Sequence, residues 1–110
     1  MRETIDPGEF RTELSLQQAN IASDGMGGHA ESWNEVAKVF ARLEPVSAQS
    51  AFQADQTIEL VTHKVTLRAR GDVASGMRFV LGSRVFEILT VHDPDETGRY
   101  LVCRTREKGR

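Results

Sequence analysis

The chain has 110 residues, with 14 Lys+Arg against 16 Asp+Glu and a formal net charge of −2. That balance sets it apart from proteins that hold nucleic acid mainly through phosphates, leaving at most a local basic stripe for that purpose. With 39% hydrophobic and 27% charged residues, it reads as one globular domain over 1–110, able to bury roughly 65% of the surface its unfolded chain exposes. The single cysteine, Cys103, has no partner for an intrachain disulfide. Lying in "YLVC", it reads as a small buried hydrophobe. The opening "MRETIDPGEF" lacks the apolar stretch of a signal peptide. No run reaches the ~20 apolar residues of a membrane span. The expectation is a soluble protein made in a cytoplasm.

From Phe10 the residues alternate, with Phe10, Thr12, Leu14 and Leu16 on one face and Arg11, Glu13, Ser15 and Gln17 on the other. Period two predicts a strand buried on one side. Asn20 to Ser32, "NIASDGMGGHAES", carries three glycines and little periodicity. It reads as a long glycine-bearing loop, a form that is often functional. In "SWNEVAKVFARLEPV", Ala37, Val39, Ala41 and Leu43 alternate with Lys38, Phe40, Arg42 and Glu44 before Pro45, so a second strand is expected. Ser47 to Gln56 places Ala48, Ala51, Phe52 and Asp55 at helical spacing. A short helix capped by Ser47 is expected there. "VTHKVTLRAR", Val61–Arg70, is the clearest strand, with Val61, His63, Val65, Leu67 and Ala69 on one face. "MRFVLG" and "RVFEILTVH" follow as strands joined at Gly82-Ser83, which suits a two-residue hairpin turn. "RYLVCRTRE" closes the chain. The sum is mainly β: a small six-stranded barrel or sandwich with one short helix between strands two and three.

The stretch "VHDPDETGRY" invites a test for metal. An EF-hand loop wants oxygen ligands at its first, third and fifth positions, glycine at the sixth and glutamate at the twelfth. Asp93, Asp95, Thr97 and Gly98 fit, but the twelfth position is Arg104 and the flanks read as strands. A soluble turn is the better reading. His29, His63 and His92 have no ligand-like spacing, and His63 reads as packed with its strand's apolar face. "GMGG" lacks the Lys-Ser/Thr of a phosphate loop. Neither catalytic residues, nor a metal site, nor a cofactor is expected. Lys64, Arg68 and Arg70 line one strand face. This leaves open a second reading as a small β-barrel nucleic-acid-binding module.

The order of segments carries a resemblance. "IDPGEFRTELSLQ" is followed by the glycine-bearing loop and then by Trp33 with Val36, Ala37 and Val39, leading to Glu44-Pro45. Thr62-His63 opens a basic strand. Gly82, Arg84, Phe86 and Ile88 make a Gly-x-Arg-x-aromatic-x-Ile hairpin, and Tyr100-Leu101 follows the acidic turn. Taken together, these resemble the head–tail joining family of tailed bacteriophages, the head-closure or stopper proteins, with relatives in prophages and gene-transfer particles. Phe10 stands where the family usually has leucine, and Glu13 where it usually has a basic residue.

The resemblance implies a small β-barrel and a structural role: a ring below the portal and its adaptor that retains the genome and docks the tail. The implied partners are portal or adaptor ring proteins, tail terminator or tube proteins, further copies of the chain and, non-specifically, packaged DNA, with no membrane. The implied location is the host cytoplasm during assembly and then the head–tail junction of the particle. The neighbouring tail-side adaptor remains an alternative position. A ring needs two complementary lateral surfaces, and open strand edges suit it. Candidate assembly contacts are Asp24, Met26, Gly27 and His29 in the loop, Lys64, Arg68 and Arg70 on the basic strand, and Asp93 and Asp95 in the acidic turn.

Overall fold

In the computed structural model, which describes residues 5–23, 29–46 and 61–109, a 3₁₀ turn at Pro7–Glu9 leads into β1 (Thr12–Ser23). The Asp6 carboxylate caps that turn by accepting from Gly8 N–H at 2.9 Å. Next come β2 (His29–Pro45), β3 (His63–Arg68), β4 (Arg78–Leu81), β5 (Arg84–His92) and β6 (Tyr100–Glu107). These six described strands close into an antiparallel barrel in the order β1-β2-β3-β6-β5-β4. The helix expected over Ser47–Gln56 lies outside the described residues.

Alternation fills the barrel. Leu14 and Leu16, Val39 and Ala41, Val65 and Leu67, Phe79, Phe86 and Ile88, and Cys103 point inward and are buried. Val73 and Met77, from the connection before β4, complete the core. One row sets the closure: Leu16 is the register partner of Phe79, which in turn pairs with Phe86. All three are fully buried. Phe10 precedes β1 instead of beginning it, yet it stays buried edge-on to Tyr100, with ring centroids 5.8 Å apart. The turn between β4 and β5 has a positive φ at Gly82 (60°) but not at Ser83. A first-position glycine of this kind belongs to a II′ turn, which matches the twist of the strands it joins.

The long loop expected from Asn20 to Ser32 needs correction. Asn20 to Ser23 belong to β1 and His29 to Ser32 to β2, paired from Asn20↔Ser32 to Ser23↔His29. These residues form an arm, because β1 pairs with β4 only over Ser15–Gln17 and β2 with β3 only over Ala41–Pro45. An arm outside the barrel has no core to face, so its strands need no apolar alternation. At ~3.4 Å per residue it extends about 20 Å past the closed part. The third strand is shorter than expected: after Arg68 the pairing ends with Ala69 N–H donating to Arg99 O.

Two outcomes follow from the core. Phe79→Ala removes the middle of the closing row and is expected to cost about 3–5 kcal/mol in urea unfolding; a loss under about 1 kcal/mol would contradict this placement. Burial pushes the Cys103 thiol up to about 12, so a thiol-specific disulfide reagent should label it only after unfolding. Labelling of the native protein at the rate of free cysteine would contradict the described packing.

Candidate assembly surface

The arm leaves the barrel at a bulge. Leu16 pairs with Ala37 and Gln17 with Glu35, so Val36 is the extra residue of β2. Bulges re-aim the side chains beyond them, and here Trp33 comes to lie opposite Ala19. The Arg78 guanidinium stacks 4.0 Å from the Trp33 ring centre and donates from Nε to Gln17 Oε1 at 2.8 Å. Ser15 donates from its hydroxyl to Glu35 Oε1 at 2.7 Å. A cation–π contact of this kind contributes about 0.5–1 kcal/mol at a partly exposed site. The base of the arm is thereby tied to β4.

The basic strand does not present three free cations. Lys64 Nζ lies 3.7 Å from Glu44 Oε1, and Glu44 also accepts from Arg42 at 2.6 Å. Arg42 reaches Glu9 as well, at 3.0 Å. Arg70 has left the strand and grips the Asp72 carboxylate with two bonds of 2.9 and 3.0 Å. Its expected place on one strand face with Lys64 and Arg68 is therefore corrected; the chain turns at Gly71-Asp72 once β6 has no further residue to offer it. Arg68 is exposed and has no ion-pair partner among the described residues.

Beside Arg68, β2 and β3 splay apart and leave a groove of about 570 Å³. Pro7, Phe10, Lys38, Phe40, Arg68 and Arg70 are among its lining residues. Phe40, 58% exposed, is the most exposed large apolar side chain among the described residues. Its signal was present in the alternation, where an aromatic ring sits on the polar phase between Lys38 and Arg42. The packing of Arg78 on Trp33 had no such signal, since it joins strands distant in sequence.

The acidic turn is internally organised. The Asp93 carboxylate accepts from the backbone N–H groups of Asp95 (3.3 Å), Glu96 (2.9 Å) and Gly98 (2.6 Å). Asp95 accepts the Thr97 hydroxyl at 2.7 Å and the Thr97 N–H at 3.3 Å. Glu96 takes the left-handed φ of 59° that this wrapping requires. The Thr97 hydroxyl bond is the largest of the influences that hold the Asp95 carboxyl below its ordinary value. These carboxylates serve the turn itself. His63 packs edge-on to Phe86, with centroids 5.0 Å apart. His29 closes the described arm opposite Ser23. Asp24, Met26 and Gly27 lie outside the described residues. The candidate contacts thus separate into a splayed basic groove, an arm and a self-bonded turn, and no common pocket joins them among the described residues.

A family model described as phage head completion protein matches residues 5–108. A chain in the structure of the virion of a native gene transfer agent particle is 30% identical, with a TM-score of 0.65. That match covers 87% of this chain and 92% of the other. The solution structure of protein SF1141 from Shigella flexneri 2a shares the fold, at 21% identity and a TM-score of 0.65, covering 92% of this chain and 96% of the other. No curated protein matches the chain.

The turn sets two expectations. Asp93→Ala hands three largely exposed N–H groups to water and should cost about 0.5–2 kcal/mol in urea unfolding, as loss of a cap does; an unchanged midpoint would contradict the hub role. Because the Asp95 carboxyl is held low in the folded state, its stabilising effect is complete above the unfolded value of about 3.9 and is lost as pH falls through the lower folded value. A carboxyl-detected NMR titration should place the Asp95 midpoint below the ordinary range, and Thr97→Val should move it upward. A midpoint unmoved by that change would rule out the Thr97 bond as its cause.

Proposed function

The chain belongs to the phage head completion protein family, and from that premise we propose that it is a structural protein of the head–tail connector. In this reading its copies form a ring below the portal and adaptor, close the DNA channel after packaging and give the tail its docking surface. The match along residues 5–108 is the observation that supports it most, and the likeness to a chain of a gene transfer agent virion agrees with it. The physical features are compatible with such a role. Barrel closure makes a rigid body, and a projecting arm gives that body reach toward a neighbour. A net charge of −2 suits a channel wall past which DNA must slide without being held by its phosphates.

The same features favour an assembly role over an enzymatic one. The single thiol is buried, and the Asp93 and Asp95 carboxylates are committed to their own turn. The nucleic-acid-binding alternative loses support, since Lys64 and Arg70 are neutralised by Glu44 and Asp72. The chain would work in the particle at the head–tail junction, after folding in the host cytoplasm. Electron microscopy of particles assembled without this chain should show DNA-filled heads that leak and carry no tails. Intact tailed particles made in its absence would overturn the proposal.

A further inference from the structure

The groove beside Arg68 has a wall with pairing capacity. Val46 N–H donates to Thr62 O on the β3 side of β2. Antiparallel strands alternate the side to which their peptide groups point, so Glu44, Arg42, Phe40 and Lys38 direct theirs the same way. The β2–β3 ladder stops at Ala41↔Leu67, a pair closed on its outer side by the Phe40 C=O accepting from Arg68 N–H. Beyond that bond, the Phe40 N–H and the N–H and C=O of Lys38 face the groove, where the β2–β3 ladder gives them no partner. Lys38 and Arg68 flank this edge, and neither has an ion-pair partner among the described residues. Phe40 adds the exposed apolar ring.

A peptide edge, two cations and an aromatic ring recognise one class of ligand together. We propose that this groove binds an extended acidic segment of another protein of the particle, laid as an added strand against Lys38–Phe40. Main-chain bonds would hold the segment in register, its carboxylates would meet Lys38 and Arg68, and an apolar residue would cover Phe40. Nucleic acid suits the groove less well, because bases and phosphates cannot complete a β ladder. The chain's own acidic turn is unsuited as occupant, since its carboxylates are closed onto its own backbone. Only the origin of the partner rests on the head–tail reading; the recognition chemistry stands apart from it and is tested on the isolated protein.

The probe is a fluorescein-labelled peptide alternating aspartate or glutamate with valine, read by anisotropy beside a counterpart with lysine at the acidic positions. Saturable binding of the acidic peptide alone is expected. It should weaken about tenfold in Arg68→Glu and in Lys38→Glu, with circular dichroism showing both variants folded. Amide exchange at Phe40 should slow when the peptide binds. The proposal is overturned by absent saturation, by equal binding of the lysine peptide or by unchanged binding in folded Arg68→Glu. It is overturned equally by displacement with oligothymidylate, which would make the groove a nucleic-acid site. Self-association that Arg68→Glu dissolves would assign the groove to a second copy instead.

Discussion

The structure depends on how its barrel is closed. The β1–β4 seam spans only Ser15–Gln17 against Arg78–Val80, the shortest of the ladders in the barrel. At its centre Leu16 meets Phe79, and Phe79 meets Phe86. Three fully buried side chains in one row hold by packing what few main-chain bonds could hold alone. Because the seam is short and the β2–β3 ladder also ends early, β1 and β2 run on past the barrel as an arm. The same early ending opens the groove beside Arg68. Core closure and surface features thus share one cause in strand length.

Closure removes the open edges that a sheet would offer a neighbour. Pairing capacity survives where strands outrun their partners, along the arm and at Lys38–Phe40. Part of the surface charge is meanwhile paired locally: Arg42 and Lys64 with Glu44, Arg70 with Asp72, Arg84 with Glu107. Part-exposed pairs of this kind add little stability.

Much of this was legible in the residues. Strict alternation in β2, β3 and the first part of β1 revealed both the strands and their inward faces, and Gly82-Ser83 marked its hairpin. The arm was not legible, since Asn20, Ala22, Ala30 and Ser32 carry no apolar period and its strands face no core. Nor could alternation show Arg70 leaving its strand, because the end of β3 is set by where β6 begins. The acidic turn was recognised as a turn; its hub at Asp93 rests on three main-chain donors that depend on Glu96 adopting a left-handed conformation. Phe40 was visible as an aromatic ring on a polar phase, although the groove beside it depends on the splay of two strands.

The barrel is proposed to be a component of the particle at the junction of head and tail. A cryo-electron microscopy map of purified particles tests it most directly. The account predicts density at that junction into which the six-stranded barrel fits in repeated copies, each with its β1–β2 arm extending toward a neighbouring subunit. A well-resolved junction with no density for this barrel would contradict it.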